Sequence, residues 1–139
     1  MVFGNPEFSA DFLAALIAQA GLSTVGLSSI RLYKNAIPSD AEAQNFDPTT
    51  RSGDLLGTFT NCSFTSIGSS VILNTFPAAI NTPVAGTVTW AYIQGQNGVG
   101  IVVETGVLGG TGALILDKTA LTAGGTVAVV DFGLTLTFY

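Results

Sequence analysis

Apolar and polar residues alternate with two different periods along this chain, and the change falls at Gly21. Before it, Phe8, Phe12, Leu13, Leu16 and Ile17 recur at the three-to-four-residue spacing that places side chains on one helix face. Asn5 is a good N-cap, and Pro6 sits at the first helical position, where its missing N–H costs nothing. Glu7 and Asp11 lie near the positive end of the helix dipole, and Gly21 suits the position just past the last turn. The spacing predicts a helix over 5–21. One amphipathic face is enough to dock on the chain's own core. The alternative is an arm that packs on a neighbouring subunit.

After Gly21 the period falls to two. Strands are predicted over Ser29–Lys34, Asp54–Phe64 and Ser70–Phe76. Between the first two lies a polar surface loop, Asn35–Gly53, holding Pro38, Pro48 and several acids. Pro77–Pro83 reads as a breaker. In Ala85–Gln94, Val88, Trp90 and Tyr92 fall on one face and Thr87, Thr89 and Ala91 on the other. Asn97-Gly98 is a strong hairpin signal, and Val99–Val107 returns as the partner strand. Turns at Gly109, Gly110 and Gly112 and at Ala123-Gly124-Gly125 bracket a strand over Ala113–Asp117. In the last strand, Thr126–Tyr139, Phe132, Leu134, Leu136 and Phe138 share a face, while Val127 and Val129 have the opposite phase. One extra residue near Val130-Asp131, a bulge, reconciles the two. Short strands with frequent turns and no βαβ rhythm predict an all-β fold, a sandwich or a barrel, and of these an antiparallel β-sandwich of plain or jelly-roll type with one short N-terminal helix is the leading expectation.

Composition narrows what such a body can do. The 139 residues fit a single domain over 1–139, with the helix at 5–21 and a β-rich body over 28–139. The chain is 47% hydrophobic and 9% charged, against about 25% charged in an ordinary soluble domain. Its mean hydropathy is +0.55. No apolar run approaches the roughly 20 residues of a membrane helix, and the first basic residue, Arg31, comes too late for a signal peptide. No membrane partner is therefore expected. A chain this apolar is expected to cover part of its surface with other subunits. The net charge is −5, and Arg31, Lys34, Arg51 and Lys118 are too few and too scattered to neutralise phosphates, so nucleic acid is not an expected partner either.

Candidate chemistry is sparse. There is no His, and Cys62 is alone, which excludes an intrachain disulfide, a Cys/His zinc site and a His-activated thiol. Cys62 is read as a buried thiol, and Asn61-Cys62-Ser63 as a chance match to a glycosylation acceptor. Asp40, Glu42 and Asp47 gather in one loop, but without EF-hand spacing they read as solvated acids. Gly112 to Thr119 nearly matches a phosphate-binding loop, yet Asp117 stands where the second Gly belongs and the intervening residues read as a strand. Glu104 reads as an outward-facing strand residue. Trp90 and Tyr92 could stack on a sugar, but on an alternating strand they read as core anchors. No catalytic residue, metal ligand or cofactor is expected.

The order of several segments resembles small virion proteins of tailed bacteriophages. Ser29-Ile30-Arg31-Leu32-Tyr33 followed by Ile37-Pro38-Ser39-Asp40-Ala41 resembles their "L-R-I-Y … P-x-x-A-D-A" opening. Gly53-Asp54-Leu55-Leu56-Gly57-Thr58-Phe59 and Ala85-Gly86-Thr87-Val88-Thr89-Trp90 resemble their "G-x-L-L-A-T" and "A-G-T-A-x-W" strands. Leu121-Thr122-Ala123-Gly124-Gly125-Thr126-Val127 resembles their closing "L-x-A-G-x-T-V". The chain departs from the pattern at Lys34-Asn35-Ala36, which lacks the usual Gly, and in an insert over Gln44–Ser52. The resemblance implies a capsid decoration or cement protein on the outer surface of a phage head. Its expected partners are the major capsid protein and further copies of itself, in a homotrimer. Phe8, Phe12, Leu16, Asp40 and Phe46 are the expected contact residues. Tail or head–tail connector proteins of the same fold, and a carbohydrate-binding adhesion module, are the alternatives.

Overall fold

A computed structural model describes residues 28–44, 46–67, 70–75, 77–94, 100–110 and 112–135. The expected helix over 5–21, with Phe8, Phe12 and Leu16, lies outside the described residues, as does Asn97-Gly98. The body is all-β. Its long strands are β1 (Ser28–Tyr33), β2 (Leu55–Ile67), β3 (Ser70–Thr75), β6 (Trp90–Gln94), β7 (Gly100–Val107), β8 (Leu114–Leu116) and β11 (Val129–Thr135). Short strands β4 (Ile80–Thr82), β5 (Gly86–Thr87), β9 (Ala120–Leu121) and β10 (Gly125–Val127) form two separate pairs, β4–β10 and β5–β9.

The seven long strands pair around a closed circuit in the order β1-β2-β3-β11-β8-β7-β6. The expected all-β body is present, and two corner strands join its layers into the circuit. β2 pairs with β1 through Leu55–Cys62 and with β3 through Ser63–Ile67. Its register slips between Ser28 and Ile30 of β1, opposite Asn61, whose φ of +56° is a left-handed conformation that Asn tolerates. β11 likewise pairs with β8 through Val129–Phe132 and with β3 through Gly133–Thr135. Its register shifts between Val129 and Asp131, which is the bulge the phase change predicts. Val127, Val129 and Phe132 are accordingly all buried.

A circuit of seven strands cannot be antiparallel throughout. The odd pair is β7–β8, parallel in the register Thr105↔Leu114, Gly106↔Ile115 and Val107↔Leu116. Parallel neighbours ordinarily need a crossover of a dozen residues or more. Here residues 108–113 suffice, because Gly112 lies almost on the backbone it returns to. A Cβ there would stand 2.9 Å from the carbonyl carbon of Thr105 and 3.1 Å from the amide nitrogen of Gly106, and its φ is +130°. Only glycine meets both conditions.

Inside the barrel, Ile30, Leu32, Leu56, Phe59, Ala91, Ile93, Val103, Leu114 and Leu116 form one buried core. Alternation holds from strand to strand: Ile30 pairs with Ile93, and Leu32 with Ala91. Val88 departs from the predicted face. It joins this interior core, whereas Trp90 and Tyr92 belong to a second cluster. The strand is broken at Val88-Thr89, where the Val88 amide donates to Thr119 and the Thr89 amide to Tyr33, and the phase resets there. The expected breaker at Pro77–Pro83 also contains β4, which pairs with β10.

Replacing Gly112 by Ala forces both a strained φ and a backbone collision. A loss of about 2–4 kcal/mol in urea unfolding is expected. Gly124→Ala is the control: φ there is +79° with nothing within 4 Å of the added carbon, so about 1 kcal/mol is expected. Equal losses at the two positions would contradict the close return of the chain.

Candidate functional site

Strand β6 is buried on both faces, which its sequence Trp-Ala-Tyr-Ile already permits. Ala91 and Ile93 enter the barrel; Trp90 and Tyr92 stand on its outer wall with Tyr33 and Val102. Tyr33 pairs with Trp90 across the strands, and their rings stack at 4.2 Å with 7° between planes. Such a stack adds roughly 0.5–1.5 kcal/mol to the burial of the rings. Tyr92 lies over Gly100 on the neighbouring strand; a Cβ there would meet its Cζ at 2.7 Å and the Ile93 carbonyl oxygen at 2.3 Å. The missing side chain makes room for the phenol.

The segment between β1 and β2, expected to be a surface loop, is a strap across this wall. Its two helical pieces are α1 (Asp40–Gln44) and a 3₁₀ helix (Pro48–Asp54). Ser39 caps α1 by accepting from the Glu42 amide at 3.3 Å. Asp47 caps the 3₁₀ helix, accepting from the Thr49 amide at 3.0 Å and its hydroxyl at 2.8 Å, and Pro48 follows at the first helical position. Ile37, Ala43, Phe46 and Leu55 pack beneath on the aromatic cluster. Phe46 meets Trp90 edge-on at 5.4 Å and contacts Tyr33 and Tyr92 as well. The Trp90 indole N–H is satisfied by the Lys34 carbonyl at 3.3 Å.

Arg51 is the clamp of the strap. Its Nε and Nη2 each donate to Glu42 at 2.9 Å, and Nη1 donates to the Ala36 carbonyl at 3.2 Å and to Asp54 at 3.5 Å. Its guanidinium carbon lies 5.7 Å from the centre of the Trp90 ring. The hydrogen bonds from Arg51 hold the Glu42 carboxyl below the ordinary carboxylate value, and those from Thr49 do the same for Asp47. At the hinge, Asn35 adopts a φ of +71° and donates to Asp54 at 2.7 Å.

The residues singled out in the sequence are thereby placed. Asp40 opens α1, while Glu42 and Asp47 each face a partner within the strap. Among the described residues, no group of three or more His, Cys, Asp or Glu is placed to hold a metal ion. Cys62 is fully buried, and desolvation pushes its thiol up to about 12, so it has no nucleophilic form near neutrality. Asp117 accepts from the Ala128 amide at 3.0 Å and lies just past β8, so the segment resembling a phosphate loop is a strand and its turn. Glu104 is half-buried, opposite Trp90 on the outer wall. Phe46, an expected contact residue, turns its ring into its own chain's cluster. The clamp role of Arg51 was not singled out in the sequence, although its position between Glu42 and Asp54 was the available signal.

Comparison with family models, with curated proteins and with solved structures gives no match. The described geometry contains a covered aromatic wall whose charges are paired locally.

Arg51→Ala removes the clamp and one cation–π contact. A loss of about 1–2 kcal/mol is expected, because the pair is partly exposed and screened. The emission of Trp90, the single tryptophan, should shift to the red. Acid should act in the same direction: with its folded pKa lowered, Glu42 contributes fully above the ordinary carboxylate value, and the contribution fades as pH falls through the folded one. Unchanged emission and stability in the variant would contradict the clamp.

Proposed function

We propose that this chain is a structural component of a tailed-phage particle, a decoration protein bound to the outer surface of the head. In this reading it is not an enzyme and requires no cofactor. It contacts the major capsid protein and further copies of itself, as a homotrimer at threefold positions of the shell. The observation that carries the reading is the disposition of charged and apolar groups. Arg51, Glu42, Asp47, Asp54 and Asp117 hold local structure, whereas Val107, Leu108 and Val130 stand exposed. Apolar surface left outside a folded body is suited to association.

Further support comes from where the phage-like segments lie. Ile30–Tyr33 and Thr87–Trp90 belong to the seam of β1 with β6, Leu55–Phe59 to the start of β2, and Leu121–Val127 to the turn between β9 and β10. These are the framework parts of a rigid body. A rigid body bound at several weak sites gains avidity through effective concentration. A net charge of −5 suits an external position, away from packaged DNA. The carbohydrate-binding alternative is weakened by the burial of Trp90 and Tyr92, 0% and 2% exposed beneath the strap.

The test is to separate heads from tails of the particle that carries this chain, label intact heads with an impermeant reagent, and quantify the chain by mass spectrometry. It should occur in the head fraction in fixed ratio to the major capsid protein and should be labelled. Its occurrence in tails alone would favour the tail or connector reading; absence from both fractions would overturn the virion role.

A further inference from the structure

The strap over the aromatic wall is fastened in two different ways. At its neck the fastening is polar. The Lys34 amide donates to the Asp54 carbonyl at 3.0 Å and the Asn35 side chain to the Asp54 carboxylate at 2.7 Å, so the two ends of the segment are pinned to each other. The neck is also tied to β6 and the residues leading into it. The Thr89 amide donates to the Tyr33 carbonyl at 2.9 Å, the Thr89 hydroxyl to the Asn35 carbonyl, and the Trp90 indole to the Lys34 carbonyl at 3.3 Å. Beyond the neck, the contacts described with the wall are of another kind. Ile37, Ala43 and Phe46 pack on the ring cluster, and the Arg51 guanidinium lies over Trp90.

Within the strap, polar groups bind one another. The two 2.9 Å bonds between Arg51 and Glu42 join the 3₁₀ helix to α1, and Arg51 also reaches the Ala36 carbonyl. Asp47 holds Thr49 and Thr50. These bonds all lie inside the strap and survive without the wall. The cover is also thin. Among the described side chains of 36–53, Pro38 alone is buried, whereas Tyr33, Trp90 and Tyr92 beneath are all buried. A surface segment whose ends meet and whose own side chains hold it has the form of an Ω-loop. Segments with little buried apolar surface open at a lower free energy than the core they cover.

We propose that residues 36–53 are a hinged lid, which lifts off the aromatic wall as one body about the Asn35–Asp54 neck while the barrel stays closed. Opening draws Phe46 out of the ring cluster and uncovers Tyr33, Trp90, Tyr92 and Val102. It keeps the Arg51–Glu42 bonds and the bonds of the neck. Gly53, with nothing within 4 Å of the place a Cβ would take, gives the pivot room on the Asp54 side. The lid is a property of the purified chain and stands or falls apart from the virion role.

Thiol labelling of the full-length chain tests it, because Cys62 sits in the barrel core and Val102 in the cluster under the strap. In a Val102→Cys variant, both thiols are labelled with a small maleimide, and each rate is divided by its rate in the urea-unfolded chain. The thiol at position 102 should react at least about a hundredfold faster than Cys62. Its rate should depend only weakly on dilute urea, since lifting a folded lid exposes little surface. Equal rates, or a urea slope as steep as that of Cys62, would overturn the lid. A second measurement needs no new thiol. In Phe46→Ala, acrylamide should quench Trp90 emission at least about twofold more strongly, with the labelling of Cys62 unchanged. Unchanged quenching, or quenching and Cys62 labelling that rise together, would overturn the lid as well.

Discussion

Seven strands close a circuit only if at least one neighbouring pair runs parallel, and here that requirement falls on six residues. After Val107 the chain reverses twice and re-enters beside itself at Leu114, and the backbone of Gly112 passes against Thr105 and Gly106. The remaining architecture depends on this return. It places Leu114 and Leu116 in the interior and lets β8 receive β11. It also completes the wall whose other members are β1 and β6. Closure removes the free edges that an open sheet of this apolar composition would present to other chains.

Closure also determines where the chemistry goes. The wall built from β1, β6 and β7 carries large apolar side chains on both faces, with Tyr33, Trp90, Tyr92 and Val102 outside, so that part of its outer side needs a cover, and the strap between β1 and β2 provides one. Most of the strap's polar groups hold the strap itself: Ser39 and Asp47 cap its helices, Arg51 binds Glu42 and Asp54, and Asn35 turns the chain back toward Asp54. Trp90 and Tyr92 become anchors between two layers. At the end of the barrel away from Ser28, Val107, Leu108 and Val130 stand exposed together with Asp117 and Lys118. The assembly role proposed above rests on those exposed apolar residues.

Much of this was legible in the sequence where period alone decides. The strands over 29–34, 54–64, 70–76 and 99–107 agree with β1, β2, β3 and β7 to within a few residues, and the phase change between Val129 and Phe132 marked the bulge in β11. Period cannot reveal a reset such as that at Val88-Thr89, because the break is made by hydrogen bonds to Thr119 and Tyr33, distant in sequence. Nor can it distinguish two sheets from one closed circuit. That depends on β2 and β11 changing partners halfway, which is a tertiary choice. The strap read as a polar loop because its apolar residues, Ile37, Ala43 and Phe46, are few and irregularly spaced. The value of each comes from the aromatic wall beneath it.

The closed circuit is tested most directly by backbone NMR across its two decisive seams. Close proton contacts of a parallel ladder should link Thr105–Val107 with Leu114–Leu116, and those of an antiparallel ladder should link Ser29–Tyr33 with Trp90–Gln94, in one sample. Antiparallel contacts between β7 and β8, or the absence of contacts at either seam, would contradict the barrel.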